Sequence, residues 1–277
     1  MIGPRLSAAA GAAVTGIDLS QPLAPAQRER ILDAFRDHHV IVFPEQLLTR
    51  ERQFAFAANF GEVERHGGGS PTKRYAVAHV ISNLDASGNP IDRSFSAVSN
   101  YRWHTDKSYH PVPPMATMLY AVELPSFGGD TEFANTAMAY AALPEETKRR
   151  IAALRVVFRW GAGLSETDAA AYGGLAGRPA VSHPLVRTHP DTGAKALYLG
   201  NHASHIHGLP KAEGAVLLDR LLDHATRREF VYAHRWRRGD LVMWDNRCLL
   251  HRAVANYDLS RDRRILHRTV VKGSAPV

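Results

Sequence analysis

The chain of 277 residues carries 34 Lys and Arg against 27 Asp and Glu, a formal charge of +7, with 45% hydrophobic and 22% charged residues. That length and composition suffice to bury a full core, which excludes the small scaffolds held together by disulfides or structural metal. Its single cysteine, Cys248, rules out an intrachain disulfide and points to a reducing compartment, the cytoplasm.

The alanine-rich start, Met1 to Ile17, lacks the leucine-rich centre of a signal peptide and is expected to run into a strand. No apolar stretch reaches the roughly 20 residues needed to cross a bilayer. Pro25 to His38 predicts a helix with Ile31, Leu32 and Phe35 on one face, followed by the apolar strand Val40 to Phe43, which Pro44 ends. Thr49 to Phe60 predicts a second helix with Thr49 as its N-cap. The run Gly67-Gly68-Gly69 marks a loop. Strands are then expected at Tyr75 to Ile81, Ala116 to Val122, Leu154 to Phe158, Ala196 to Leu199, Phe230 to Ala233, Leu241 to Trp244 and Ile265 to Val271. Helices are expected at Asn135 to Leu154 and Ala212 to Thr226. There is no fixed-period repeat and no low-complexity linker, so residues 1–277 read as one domain. Strands without regular βαβ alternation favour a mainly β sandwich or barrel decorated by helices.

The pI near 9.7 raises the question of nucleic acid. No Lys/Arg run exceeds three residues and no aromatic-basic interleaving appears, so a protein that handles small anions explains the charge as well. The expectation is therefore no nucleic-acid and no membrane partner, but a small anionic organic substrate.

Chemistry concentrates in three separated segments. In Trp103-His104-Thr105-Asp106 an extended backbone points His104 and Asp106 to the same side. A second segment, Trp244 to His251, supplies another imidazole. If a neighbouring strand brings His251 beside the first pair, two His and one carboxylate occupy one face of an octahedral metal and leave the other open, as in non-haem Fe(II) oxygenases. One H-x-D among fifteen histidines is weak by itself. The third segment, Arg263 to Arg268, places Arg264 and Arg268 on one strand face, where each guanidinium fork could hold a carboxylate. Standing alone, that segment reads equally well as a basic edge strand.

Together, in this order and spacing, these segments resemble the Fe(II)- and 2-oxoglutarate-dependent dioxygenases of the taurine dioxygenase group. Glu123-Leu124-Pro125-Ser126-Phe127-Gly128-Gly129-Asp130-Thr131 matches the group's E-L-P-x-x-G-G-D-T signature, and the resemblance runs from Val14 to the final strand. Within the group, Leu185 to His189, His202 to His205, Arg228 to Tyr232 and Gly239 to Cys248 are most similar to the 2,4-dichlorophenoxyacetate (aryloxyalkanoate) dioxygenases.

The resemblance implies a double-stranded β-helix (jelly-roll, cupin-like) core with flanking helices and a homo-oligomeric enzyme. It implies that His104, Asp106 and His251 bind Fe(II), and that Arg264 and Thr131 hold the distal carboxylate of the cosubstrate 2-oxoglutarate, with O2 as the oxidant. Arg268 falls where the group grips the acidic end of its primary substrate. Asn100, His202 and His66 fall at or near other pocket positions, although a buried imidazole at His202 also reads as core. Trp244 is expected to pack behind the metal site. Where taurine dioxygenase contacts the substrate amine, this chain aligns Gly69 and Ser99, so an apolar or aryloxy body with one acidic end fits better than taurine. An alkylsulfonate or alkyl sulfate substrate is the alternative. Asp106 argues against a halogenase, since it fills the position a halide would need. A zinc hydrolase could share the ligand set but has no use for Arg264, Arg268 and Thr131 together.

Overall fold

The computed structural model describes residues 2–65, 78–85, 87–91, 99–162 and 179–277. His66, the glycine run at 67–69 and residues 75–77 of one expected strand lie outside the described residues. In chain order the elements begin with β1 (Ile2–Arg5), β2 (Ala12–Val14), α1 (Pro25–His38), β3 (Val40–Phe43) and α2 (Arg50–Ala57). Next come β4 (His79–Ser82), β5 (Ala116–Glu123), β6 (Thr131–Asn135), α3 (Thr136–Ala141), α4 (Glu145–Ile151) and β7 (Arg155–Phe158). The second half holds β8 (Val181–Pro184), β9 (Val186–Thr188), β10 (Lys195–Leu197), β11 (Ala203–Ile206), α5 (Lys211–Ala225), β12 (Val231–His234), β13 (Leu241–Asp245), β14 (Leu249–Ala253) and β15 (Ile265–Val271).

Both early helices start where the sequence says they should. Pro25 occupies the first turn of α1, and Gln27 Oε1 accepts a hydrogen bond from the Ala24 amide at 2.9 Å. The Thr49 hydroxyl accepts from the Arg52 amide at 3.2 Å and caps α2. The single helix expected over Asn135 to Leu154 is instead two. Pro144 cannot continue α3 and sits at the N-cap of α4, while Asn135 ends β6 and caps α3 by accepting from the Ala137 and Met138 amides.

Among the described residues, a seven-stranded sheet runs β1-β2-β3-β13-β5-β15-β4, antiparallel except for β2 against β3. Its central strands are buried on both faces, which explains their unbroken apolar runs. Ile41, Phe43, Met118, Tyr120, Leu241 and Met243 pack against Ile31, Phe35 and Phe56 of α1 and α2. The alternate residues Val40, Val42, Leu119, Val242, Trp244 and Leu266 face the other way, toward Phe133, Tyr232 and Leu249 of a three-stranded sheet, β12-β6-β14. These two facing sheets form the expected jelly-roll core. A third sheet, β11-β7-β8, carries α5, whose Leu217, Leu218 and Leu221 are buried against it. Among the described residues no helix is long and apolar enough to cross a membrane.

Candidate metal and cosubstrate site

The interior face of the small sheet is set by register. His251 stands opposite Phe133 and Ala253 opposite Thr131, so His251 and Thr131 project into the space between the sheets. The H-x-D segment adds to the free side of β14: the His104 amide donates to the His251 carbonyl at 3.0 Å, and the return bond is 2.7 Å. This narrow pairing sets the two imidazoles side by side, with ring centroids 4.1 Å apart. Asp106 follows on the same side of the extended segment. One ligating atom from each of His104, Asp106 and His251 lies within 4.8 Å of the others, and all three residues are buried.

Their protonation suits a cation. His104 Nδ1 lies 2.8 Å from the Arg102 carbonyl, which can only accept, so Nδ1 carries the proton and Nε2 keeps its lone pair. Burial, joined by the neighbouring His104, holds the His251 imidazole down at about 3 and therefore neutral. Burial alone would raise the Asp106 carboxyl. The His251, Arg268 and His104 side chains and the Thr117 hydroxyl outweigh it and hold the group at about 2. Two neutral imidazoles and one carboxylate fit a divalent ion of borderline character, Fe(II) included. The other cluster of this kind among the described residues, half-buried His39 with buried Asp245 and Cys248, fits poorly: Asp245 is already bound by Arg247 and His189.

Both arginines come from the last strand and its approach: Arg264 immediately precedes β15 and Arg268 lies within it. Ile265 faces Glu123 while Leu266 faces Ala121, so the extra residue of the bulge, Val122, lies on β5 and the parity of β15 is kept. Arg264 is buried, donating from Nε to the Gly129 carbonyl at 2.9 Å and from Nη2 to Thr131 Oγ1 at 3.4 Å, while its amide donates to Asn83 Oδ1. The paired glycines of the signature permit this approach. Both have positive φ, a Cβ on Gly128 would come within 2.2 Å of the Asn256 carbonyl, and one on Gly129 would press on the Arg264 side chain at 3.2 Å. Thr131 also accepts from the Trp236 indole at 3.0 Å. With both lone pairs engaged by groups that only donate, its own proton points elsewhere, toward the cavity it lines. Arg268 reaches to 3.7 Å from Asp106 Oδ1.

A cavity of about 60 Å3 joins these groups: His104, Asp106, His251, Thr131, Arg264 and Arg268 line it, with Ile81, Asn100, Leu119, Trp244 and Ala253. A larger cavity of about 470 Å3 shares Ile81, Asn100, Ala253 and the two arginines and extends along β4 to Leu84, Tyr101, Trp160 and Tyr257. Asn100 is thus in the pocket. Trp244 both packs on His251, with centroids 4.7 Å apart, and forms part of the small cavity's wall. His202 is not among the residues lining either cavity. It lies buried, edge-on to His104 at 6.4 Å and against Tyr109 at 4.8 Å, and burial followed by the nearby His104 lowers it to about 3. A neutral imidazole still carries one N–H, and Nδ1 of His202 has no hydrogen-bond partner, so its place beside His104 fits a pocket role as well as a core one. Thr117, Asn246 and Trp236 contribute to the site and were not singled out by sequence reasoning. Thr117 lies within an apolar strand and Trp236 among arginines, so neither carries a local signal. The two-residue spacing of Trp244 and Asn246 across the end of β13 could have flagged Asn246.

A jelly roll with two imidazoles and a carboxylate inside one end, beside a buried arginine, defines the class of the non-haem metal oxygenases. The chain belongs to the taurine catabolism dioxygenase TauD, TfdA family, whose model matches residues 4–270. It is 41% identical over 276 residues to the alpha-ketoglutarate-dependent 2,4-dichlorophenoxyacetate dioxygenase of Cupriavidus pinatubonensis, covering 94% of each chain. It is 33% identical to the alpha-ketoglutarate-dependent sulfate ester dioxygenase of Pseudomonas putida, covering 96% of this chain and 88% of that one. The crystal structure of AAD-2 in complex with Mn(II) and N-oxalylglycine superposes with a TM-score of 0.86 and 35% identity, covering 100% of this chain and 99% of that one.

Proposed function

We propose that the chain is an Fe(II)- and 2-oxoglutarate-dependent dioxygenase acting on a small organic acid, with aryloxyalkanoates as the substrate class. The observation that carries this reading is the single cavity bounded by His104, Asp106 and His251 on one side and by Arg264, Arg268 and Thr131 on the other. The three clustered residues hold the metal. Bound ferrous iron, with 2-oxoglutarate and O2, supplies the oxidation of a substrate C–H bond and the release of succinate and CO2. The protein's own part is placement and shielding. Arg264 and the Thr131 hydroxyl grip the distal carboxylate of the cosubstrate; both are buried, so water does not compete for it.

Arg268 meets the acidic end of the primary substrate, and Asn100 adds a polar contact. The body of the substrate lies along the apolar and aromatic wall of Ile81, Leu84, Tyr101, Trp160 and Tyr257. Hydroxylation at a carbon bearing an ether oxygen gives a hemiacetal, which collapses to a phenol and an oxo acid. We read the molecule as one domain over 1–277 in a homo-oligomeric, cytoplasmic enzyme; the single, buried Cys248 agrees with a reducing compartment.

The test is succinate release from 2-oxoglutarate with aryloxyacetates, aryloxypropionates, alkylsulfonates and alkyl sulfates in parallel. Stimulation by the aryloxy acids is expected. Stimulation by sulfonates or sulfates alone would replace the substrate assignment, and no succinate with any of them would sink the reading.

A further inference from the structure

Trp244, Asp245, Asn246 and Arg247 divide by parity where β13 gives way to β14. Asp245 and Arg247 turn to one side and form a buried ion pair, with Arg247 Nη2 and Nε donating to Asp245 Oδ2 and Oδ1 at 2.7 and 2.8 Å. His189 Nε2 meets the same carboxylate at 2.9 Å. This pair pins the chain on either side of Asn246, whose own amide donates to the Met115 carbonyl at 2.9 Å.

Trp244 and Asn246 turn to the other side, toward Asp106. The Trp244 indole donates to Asn246 Oδ1 at 3.1 Å. Asn246 Nδ2 donates to Thr117 Oγ1 at 2.9 Å. Thr117 in turn donates to Asp106 Oδ2 at 2.6 Å. The direction of this chain is forced. An indole N–H only donates, so the oxygen of the Asn246 side chain must face it and the NH2 must face Thr117. The Thr117 hydroxyl, accepting from that NH2, has its own proton left to give, and the acceptor in reach is the carboxylate. Trp244, Asn246 and Thr117 are at most 1% exposed, so water cannot replace a missing link.

We infer that Trp244, Asn246 and Thr117 are positioning residues that hold the Asp106 carboxylate in one plane and so set the affinity of the metal site. The inference rests on the reading of Asp106 as a metal ligand. A carboxylate without such a partner rotates about its terminal bond and presents its oxygens in many directions. With Oδ2 tied to Thr117 it keeps a single orientation before any ion arrives, and binding no longer has to order it.

The test is titration of the metal-free protein with Mn(II), reading free Mn(II) from its electron paramagnetic resonance signal. Thr117→Val, close in shape but without the hydroxyl, should weaken Mn(II) binding by about 10- to 100-fold. Thr117→Ser should recover most of that loss. Asn246→Ala should weaken binding as well, and the Thr117→Val/Asn246→Ala double variant should bind no worse than Thr117→Val, because a broken relay cannot be broken twice. Thr117→Val binding Mn(II) like the parent, Thr117→Ser behaving like Thr117→Val, or additive losses would each overturn the inference. If Thr117→Val does not fold, Asn246→Ala decides, and parent-like affinity overturns the relay. Asp106→Ala separates the two levels: if it too binds Mn(II) like the parent, the ligand reading itself has failed.

Discussion

His104 and His251 are direct cross-strand partners, each donating its amide to the other's carbonyl, and this pairing alone brings two imidazoles from positions 147 residues apart into contact. The candidate metal site is thus a consequence of strand registration. A slip of one residue would send one imidazole to the opposite face.

Divalent metal should therefore stabilise the fold. At a concentration of about 100 times its dissociation constant, Mn(II) is expected to add about 2.7 kcal/mol, a rise in Tm of about 5 to 10 °C. The rise should disappear in His251→Ala and Asp106→Ala, as measured by thermal unfolding with and without chelator.

The two arginines should separate kinetically. Arg268→Gln is expected to raise the KM for the primary substrate by at least about 10-fold, the value of a charge-assisted hydrogen bond. The affinity for 2-oxoglutarate, read from the visible charge-transfer band of the anaerobic ferrous complex, should stay within a small factor of the parent. Equal weakening of both ligands would contradict this division.

Cosubstrate binding should depend on the donor direction of Thr131. Thr131→Val is expected to weaken 2-oxoglutarate by about 10-fold or more, and Trp236→Phe, which removes the indole donor but keeps a ring, by about 5-fold. Titration of the same absorption band measures both.

Asp245 should be a stability residue with an acid signature. Burial pushes its carboxyl up, but the hydrogen bonds from Arg247 and His189 and their charge prevail and hold it well below the ordinary carboxylate range. A depressed native pKa means that its contribution is complete above the unfolded value near 4 and is lost as pH falls below it. Asp245→Asn leaves Arg247 without its main buried partner and should cost about 3 to 5 kcal/mol at pH 7 in denaturant unfolding. The acid limb of the stability curve below pH 4 should flatten in the variant.

Much of this was legible in the sequence, for reasons that differ by element. α1, α2, β3, β5, β13 and β15 are long, apolar or well capped, and each lies within a few residues of its expected position. β8, β9 and β11 are short and mix polar with apolar residues, so alternation gave no hint of them. The candidate triad and Arg264 were readable because spacing and family likeness agree on them, and the structure brings them to one cavity. His202 is ambiguous in the sequence because a core imidazole and a binding imidazole read alike there; the structure places it against His104 without lining either cavity. Thr117 and Trp236 were invisible because their roles arise from what they touch across the barrel.

Arg264 immediately precedes β15 and Arg268 lies within it, and four extended residues at about 3.4 Å each set their Cα atoms about 14 Å apart. On the roles proposed above, the two anions are held four residues apart on one extended segment. A rim residue changed by drift cannot alter the spacing between cosubstrate and substrate headgroups. Appetite for bulkier or slimmer acids has to evolve on the facing wall, around Leu84, Trp160 and Tyr257, while the calibrated strand stays as it is.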